Sequence, residues 1–130
     1  MQQELINSMP LAKLLGVKLS KADAKQVEGY LEVTEAICTL GNTLHGGAIM
    51  ALADCLGAIA GFLNLPAGAS GTTTIESKTN FLRPAPIGTR VTAVTTPVNV
   101  GKRLSVWTTT LRGDDGKSIA VVTQTQLVIQ

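Results

Sequence analysis

Apolar and polar residues recur with two different spacings along this chain of 130 residues. Between residues 2 and 15 the apolar side chains have helix-like spacing, and Pro10 stands where it would interrupt or restart a helix. From residue 17 to residue 33 apolar positions alternate with other residues around a turn near Asp23, which is typical of a β-hairpin. The pattern therefore predicts a short, broken helix followed by a first hairpin.

Residues 45–63 form an apolar block in which alanine, leucine and isoleucine fall on every side of a helical wheel. This pattern predicts one long helix, and a helix that is apolar all round is expected to be buried all round. The block approaches the length needed to span a membrane, but Asp54 would cost roughly 2.5–3.5 kcal/mol at a bilayer centre. A buried core helix, with no membrane as partner, is the better interpretation.

Four segments rich in β-branched residues follow the helix and are separated by turn signals such as Pro84 and Gly101. They are residues 72–82, 89–100, 103–112 and 118–129. The pattern predicts a meander-like antiparallel sheet, to which the early hairpin could add two strands. The fold class is therefore α+β, with a roughly six-stranded antiparallel sheet wrapped around a long central helix in a single domain over residues 1–130.

Composition adds an expectation of self-association. The chain is 45% hydrophobic and only 15% charged, so it carries more apolar surface than a small monomer can readily hide. A homodimer or homotetramer would cover the excess. A net charge of +2 and an aromatic content of 3% argue against a general nucleic-acid surface, which needs phosphate neutralisation and base stacking.

The N-terminus and the cysteines point to a reduced, cytoplasmic protein. Residues 1–16 lack the basic and continuous apolar regions of a signal peptide. Cys38 and Cys55 have neither disulfide-framework nor zinc-site spacing, and one histidine cannot build a His-rich metal site. Cys55 is interpreted as a small core residue rather than a nucleophile. No metal is expected.

Two features of the apolar helix suggest chemistry. His45-Gly46-Gly47 opens the helix, and glycines leave the backbone N–H groups of a helix N-terminus uncovered, so that they can polarise a carbonyl oxygen or bind an anion. The same residues could equally be a flexible helix start with the histidine as cap. Asp54 is the only residue between Gly46 and Leu65 expected to be charged. Such a carboxylate requires either hydroxyl or helix-terminus partners or a role in proton or acyl transfer.

The spacing of these two features has a geometric consequence. Asp54 follows His45 by nine residues, which is about 13.5 Å along a helix and roughly half a turn around it. One helix cannot present both to a single substrate atom. If both act on one thioester, the helix terminus and the aspartate must come from different subunits, in agreement with the expected dimer.

These residues resemble the signature of the hotdog-fold acyl-CoA thioesterases, in the group that includes the phenylacetate-pathway (PaaI-like) enzymes and 4-hydroxybenzoyl-CoA thioesterase. The resemblance covers most of the chain and rests on three motifs: His45-Gly46-Gly47 with Asp54, the segment 80–85 (NFLRPA), and the basic turn 101–104 (GKRL). It implies hydrolysis of a CoA thioester to free acid and CoA, with no cofactor other than the coenzyme A of the substrate.

The resemblance also implies roles for individual residues. Gly46 would supply the N–H that polarises the thioester carbonyl, Asp54 would be general base or nucleophile, and His45 would orient the site. Thr74 stands where relatives have a hydroxyl thought to position the attacking water. The family commonly has Asn or Gln six residues before the histidine, whereas Thr39 occupies that position here; Asn42 could substitute.

Substrate binding is expected to involve glycine and basic side chains. Gly47 belongs to the binding motif, and guanidinium and ammonium groups suit the phosphates of coenzyme A. The candidates are Arg83, Arg90, Lys102 and Arg103, with the last two ranked first; each could also be an ordinary solvated charge. Aliphatic residues such as Leu56, Ile59 and Leu63 are expected to line the acyl pocket.

Three other functions remain as alternatives. A dehydratase of the same fold is disfavoured because the expected proline-rich segment after the histidine is absent. A non-catalytic acyl-CoA binding module would not need the carboxylate of Asp54. A purely structural oligomer would explain the apolar helix but neither His-Gly-Gly nor Asp54.

Overall fold

The computed structural model describes residues 2–130. Three helices, α1 (Gln2–Asn7), α2 (Pro10–Leu15) and α3 (Gly46–Leu63), accompany eight strands within that range. The strands are β1 (Lys18–Ala22), β2 (Val27–Glu32), β3 (Cys38–Thr39), β4 (Thr43–Leu44), β5 (Gly71–Phe81), β6 (Arg90–Val100), β7 (Leu104–Arg112) and β8 (Ser118–Ile129). A 3-10 turn, Glu35–Ile37, precedes β3.

The predicted broken helix and first hairpin are confirmed. Pro10 occupies the first turn of α2, where its missing N–H breaks no helical hydrogen bond. Gly16 ends α2 in the left-handed region with φ 76, and its N–H donates to the carbonyls of Ala12 and Lys13. β1 then pairs antiparallel with β2, with a register shift between Leu19 and Lys21.

Six strands form one antiparallel sheet in the order β1-β2-β6-β7-β8-β5. The four strands predicted after the long helix all occur, and β6, β7 and β8 form a meander. The prediction that β5 joins this meander beside β6 was wrong, because β5 pairs with β8 and becomes an edge strand. Residues 82–89 therefore carry the chain across the end of the sheet to β6.

Proline and local pairing explain this crossing. Pro84 and Pro86 have no N–H to donate to a sheet ladder, so the segment does not continue β5 or start β6. It is held by other backbone groups instead: Leu44 N–H donates to the carbonyl of Ala85 at 2.8 Å, and Ile87 N–H donates to that of Asn42 at 2.8 Å. The crossing is thereby anchored to the loop that leads into α3.

The core lies between α3 and one face of the sheet. α3 contacts β2, β5, β6, β7 and β8. The largest fully buried side chains include Trp107, Leu31, Leu52 and Leu56. Although α3 is long and apolar enough to cross a membrane, 56% of it is buried within the fold, which confirms the interpretation as a core helix.

The expectation that α3 is buried all round was wrong. Gly47, Met50 and Phe62 are exposed, and Ala51, Asp54 and Ala58 are half-buried. These six residues, here called the open stripe, share one side of the helix, because 47, 51, 54, 58 and 62 follow one another at intervals of three or four and Met50 lies beside Ala51. The sheet and α2 cover the rest of α3, whereas residues 2–130 cover this stripe only in part.

Candidate active site

Asp54 lies in the middle of the open stripe, beside β5. Its Oδ1 atom accepts a hydrogen bond of 2.7 Å from the hydroxyl of Thr74. Its Oδ2 atom accepts no hydrogen bond from any residue within 2–130. The carboxylate borders an open hollow of about 390 Å³, which is also lined by Gly47, Met50, Ala51 and Ser77. One oxygen is thus held, and the other has no hydrogen-bond partner within residues 2–130.

A bulge in β5 shapes this hollow. The register with β8 shifts between Thr74 and Glu76, so Ile75 is an extra residue. Ile75 and Glu76 are both exposed, whereas Thr74 and Ser77 are both half-buried against α3. Strict alternation would place residues 74 and 77 on opposite faces of a strand. Alternation along the strand therefore did not predict Ser77 beside Asp54.

Two buried glutamines lie behind Thr74. Gln124 and Gln126 of β8 are both 0% exposed. Gln126 Nε2 donates to Thr74 Oγ1 and to Gln124 Oε1, each at 2.6 Å. Gln124 Nε2 donates to the carbonyl of Ala53 at 2.9 Å, and Thr72 Oγ1 donates to Gln126 Oε1 at 3.0 Å. Neither glutamine was predicted as a site residue, although two glutamines that alternate with other residues along β8 could have indicated buried polar groups on one face of the strand.

The N-terminus of α3 lies at the other end of β5. His45 is the N-cap, and its Nδ1 accepts a hydrogen bond of 2.8 Å from Gly47 N–H. The N–H groups of Ala48 and Ile49 donate to the carbonyl of His45. Gly46 N–H is the member of this first turn that has no acceptor within residues 2–130. A donor with no acceptor at a helix N-terminus is suited to polarising a carbonyl oxygen.

Gly46 and Asp54 do not meet within one protomer. They are separated by eight residues, or about 12 Å along the helix axis. A Cβ on Gly46 would lie 3.3 Å from the ring of Phe81, at the end of β5, whereas Asp54 contacts Thr74 in the first half of that strand. Phe81 had not been singled out as a site residue.

Asn42 lies outside both clusters. It has a positive φ of 57, which asparagine tolerates better than most residues, and it occupies the turn between β3 and β4. Its backbone carbonyl accepts from Ile87 N–H, and its side chain is exposed. Its proposed replacement of the family's usual Asn or Gln stays a prediction.

The four basic candidates occupy opposite ends of the sheet. Lys102 and Arg103 lie in the β6–β7 turn, beside the strand ends where Gly71 pairs with Ile129. Arg83 and Arg90 lie at the far end. Arg90 is already engaged, because its guanidinium forms an ion pair of 2.6 Å with Glu32 and lies 4.0 Å above the ring of Tyr30. No partner is recorded among residues 2–130 for the side chains of the other three.

The remaining candidates are placed as follows. Cys55 is buried, and its burial, with a smaller effect from the charge of Asp54, raises the pKa of its thiol to about 11, so the thiol is a core group. Leu56 is fully buried in the core, whereas Ile59 is buried but lines a hollow of about 340 Å³ beside α1. That Leu56, Ile59 and Leu63 line the acyl pocket stays a prediction. Residues 2–130 contain no cluster of three or more His, Cys, Asp or Glu that could hold a metal.

An apolar groove begins next to the Asp54 hollow. It has a volume of about 390 Å³, and Gly47 and Ala51 line both spaces. Its other walls come from α2, the segment 36–38 and the start of α3, namely Leu11, Leu14, Leu15, Ala36, Ile37, Cys38, His45 and Ala48. Aliphatic side chains thus lie beside the helix N-terminus.

Comparisons with known proteins find one family model and several similar proteins. The family model described as the thioesterase superfamily matches residues 41–120. The chain is 35% identical over 104 residues to the 1,4-dihydroxy-2-naphthoyl-CoA thioesterase 2 of Arabidopsis thaliana, covering 80% of this chain and 64% of that protein. It is also similar to the crystal structure of a thioesterase from Haemophilus influenzae, with a TM-score of 0.89 and 29% identity over 99% of this chain and 88% of the other.

A third similarity supports the fold alone. The E. coli PaaI protein of the phenylacetic acid degradation operon superposes with a TM-score of 0.88 at 21% identity. The alignment covers 99% of this chain and 91% of the other. The sheet and central helix described above are therefore shared with that structure.

Proposed function

Because the chain belongs to the thioesterase superfamily and is a thioester hydrolase, we propose that it hydrolyses an acyl-CoA thioester to the free acid and coenzyme A. In this proposal Asp54 is the general base or nucleophile. The N–H of Gly46 from a neighbouring subunit polarises the thioester carbonyl. The position of the Asp54 carboxylate, held on one oxygen and open on the other, carries the proposal.

The carboxylate is arranged for either of two reactions. As a base, Oδ2 takes a proton from water while the water oxygen bonds to the carbonyl carbon. As a nucleophile, Oδ2 bonds to that carbon itself and forms an anhydride that water later cleaves. In both cases the C–S bond breaks and the thiolate of coenzyme A leaves. The hydrogen bond from Thr74 fixes the carboxylate in either role.

The first turn of α3 supplies what the reaction needs on the carbonyl side. Attack places negative charge on the carbonyl oxygen, and a fixed N–H donor stabilises that charge. Gly46 N–H has no acceptor from residues 2–130, and the positive end of the helix dipole adds to its effect. The absence of a side chain at Gly46 and Gly47 leaves room for the thioester.

The open stripe supports a site shared between two subunits. If two copies of α3 pack antiparallel about a two-fold axis, a residue that precedes the axis on one helix faces the residue that follows the axis by the same number of positions on the other helix. Placing the partner's Gly46 opposite Asp54 puts the axis midway between positions 46 and 54, at Met50. Met50 is 38% exposed and lies on the stripe. Covering the stripe would also bury the apolar surface that one protomer leaves open.

Thiol release tests the reaction directly. Wild-type protein is assayed with a panel of aliphatic and aryl acyl-CoAs, including 1,4-dihydroxy-2-naphthoyl-CoA because a relative bears that name. Asp54→Asn, which keeps the shape and removes the charge, should lower kcat by at least about a hundredfold. Asp115→Asn, in an exposed turn, is the matched control. Full activity of Asp54→Asn would remove Asp54 from the chemistry, and no turnover of any ester by folded wild type would favour the binding-module alternative.

Proline at position 46 tests the N–H donor. Gly46→Pro deletes that N–H, yet proline is well accepted at the first position of a helix, and His45 already has the extended backbone that proline requires before it. Gly46→Ala adds the same Cβ beside Phe81 but keeps the N–H. We expect Gly46→Pro to lower kcat by about a hundredfold or more relative to Gly46→Ala. Equal activity of the two variants would contradict the assignment.

Mixed subunits test the sharing of the site. Asp54→Ala and Gly46→Pro homodimers should each be inactive, whereas a mixed dimer contains one intact site and should recover part of the activity. The mixed species is purified with two different affinity tags. Absence of activity in verified mixed dimers would refute a site that combines Asp54 of one subunit with Gly46 of the other.

A cross-link tests the position of the two-fold axis. Met50→Cys should form an intersubunit disulfide under mild oxidation, because a residue at the axis meets its own copy at bonding distance. Ala58→Cys lies on the same stripe but away from the axis and should not cross-link. A non-reducing gel distinguishes dimers from monomers. The reverse pattern would require a different register.

Kinetics with a truncated substrate test the phosphate contacts. Changing Lys102 and Arg103 together to alanine should raise KM for CoA esters far more than for a short thioester without the nucleotide. The Arg83 and Arg90 pair, changed in the same way, shows which end of the sheet meets the phosphates. Equal effects on the long and short thioesters would exclude the pair concerned.

A further inference from the structure

A closed ring of hydrogen bonds links Asp54 to the buried side of the sheet. It runs from Asp54 Oδ1 through Thr74, Gln126 and Gln124 to the backbone carbonyl of Ala53, the residue that precedes Asp54. Every link lies between 2.6 and 2.9 Å. The ring ties the side chain of Asp54 to its own helix through two strands, β5 and β8.

Donor and acceptor chemistry fixes the direction of every bond in this ring. A glutamine amide has two N–H donors on its nitrogen and an acceptor on its oxygen. The carbonyl of Ala53 can only accept, so the nitrogen of Gln124 faces it and the oxygen of Gln124 faces Gln126. The nitrogen of Gln126 therefore donates one hydrogen to Gln124 and the other to Thr74. Gln124 in turn donates to the carbonyl of Ala53, which has no hydrogen to offer.

The consequence falls on the hydroxyl of Thr74. A threonine hydroxyl has a single hydrogen, and its oxygen already accepts one from Gln126. The Thr74 hydrogen is not needed for the bond with Gln126, and it points at Asp54 Oδ1. Without Gln126 the same hydroxyl could rotate and offer its hydrogen elsewhere.

The fold makes room for this ring at a cost in apolar packing. Gln124 and Gln126 are fully buried beneath α3, where aliphatic residues would pack without hydrogen-bonding requirements. The residue of α3 that faces the amide of Gln124 is Gly57, and a Cβ at that position would overlap the amide. Two buried amides and a facing glycine belong to a chain of hydrogen bonds that ends, through Thr74, on the single carboxylate of the helix, and this arrangement indicates a role beyond filling the core.

We propose that Gln126 and Gln124 are positioning residues for the hydrolysis, acting through Thr74 to hold Asp54 by Oδ1 and leave Oδ2 free for water or the thioester. This inference rests on the proposed function of Asp54. Neither glutamine touches the substrate. Their effect should therefore appear in kcat, should leave KM nearly unchanged, and should vanish when the Thr74 hydroxyl is absent.

A double-mutant cycle tests this dependence. Gln126→Met removes the donor with little change in length and should lower kcat about tenfold, the effect of one lost hydrogen bond. On a Thr74→Val background the same change should have almost no further effect, whereas on Thr74→Ser, which keeps the hydroxyl, the loss should return. If Gln126→Met lowers kcat by the same factor on the Thr74→Val background as in the wild type, Gln126 has a merely structural role.

Controls separate positioning from loss of stability. Thr95→Val removes another fully buried hydroxyl, which lies 2.7 Å from that of Thr109 elsewhere in the sheet. It should lower thermal stability and leave kcat unchanged. Should Gln126→Met fail to fold, Thr72→Val, which releases the oxygen of Gln126, provides the second variant and is expected to give a smaller fall in kcat. An unchanged kcat in a folded Thr72→Val or Gln126→Met variant overturns the proposal.

Nuclear magnetic resonance tests the ring without turnover. The side-chain amide hydrogens of Gln126 should exchange with solvent at least about a hundredfold more slowly than those of exposed Gln130. Asp54→Ala should shift the Gln126 side-chain signal, and Thr95→Val should not. Rapid exchange, or no response to Asp54→Ala, refutes the ring. A ring verified in this way in a protein that hydrolyses no thioester would refute the proposed function instead.

Discussion

Alanine at position 57 tests the packing of the long helix against the buried amides. Glycine is one of the least favourable residues inside a helix, so Gly57→Ala in an accommodating site would stabilise the protein by about 1 kcal/mol. Position 57 has no space for a side chain, because the new methyl group would overlap the amide carbon, nitrogen and oxygen of Gln124. The direction of the stability change therefore distinguishes the two possibilities.

The expected magnitude follows from the groups that must move. Displacing the Gln124 amide strains a packed interior by about 1–3 kcal/mol. It also breaks the bond to Ala53 and the bond from Gln126, and buried polar groups left unsatisfied cost about 1–3 kcal/mol. After subtraction of the helix gain, we expect Gly57→Ala to lower the free energy of unfolding by about 3 kcal/mol.

Urea unfolding provides the assay. Trp107 is the single tryptophan and is fully buried, so its fluorescence reports the loss of the core. With a slope typical of small proteins, the midpoint should fall by about 1–2 M. All variants are compared at one protein concentration, because subunit association would otherwise shift the apparent stability.

Two further variants make the test specific. Gly61→Ala, whose Cβ would have its nearest neighbours at 3.2–3.4 Å, should change stability by less than about 1 kcal/mol. Combining Gly57→Ala with Gln124→Ala removes the clash, so the double variant should be more stable than the sum of the single changes predicts by at least about 1 kcal/mol. A Gly57→Ala protein as stable as the wild type, or more stable, would refute the packing argument.

Three other outcomes are expected. Iodoacetamide at pH 8 should modify half-buried Cys38 well before Cys55, because the Cys55 thiol, with a pKa raised to about 11, stays protonated until the pH rises through that value. Mass spectrometry of the digested protein measures the labelling of each cysteine, and faster labelling of Cys55 would contradict this expectation. Arg90→Ala should leave the urea unfolding midpoint almost unchanged, since its ion pair with Glu32 is exposed to solvent, and a clear fall in the midpoint would show that the pair is structurally important. Gly16→Ala should destabilise the protein by about 1 kcal/mol, because the φ of 76 at position 16 is unfavourable for alanine. The added methyl group itself would have no atom within 4 Å. An unchanged unfolding midpoint would count against this account of the α2 terminus.

Local pattern was sufficient to predict the elements. The long helix was visible because eighteen residues with few breaks are apolar, and the strands were visible because β-branched residues cluster between turn signals. Asp54 stood out in the same way, as a charge in a segment that otherwise has none. These features depend on neighbours in the chain, and a single sequence contains that information.

Pairing between distant segments was not predictable in the same way. Consecutive strands pair by default, so β5 was expected beside β6. The structure instead pairs β5 with β8, and this leaves β5 at the sheet edge beside the open stripe of α3. That exchange of neighbours places Thr74 against Asp54.

The groups to which the proposal assigns chemistry were visible along the chain: a glycine pair at a helix start and one aspartate too far along the helix to meet it. Their surroundings follow from the fold. The bulge at Ile75 turns Ser77 toward the helix, and the inward register of β8 places Gln126 behind Thr74. A side chain's face follows from local periodicity, but its partners follow from long-range register, which is set by the packing of the whole core.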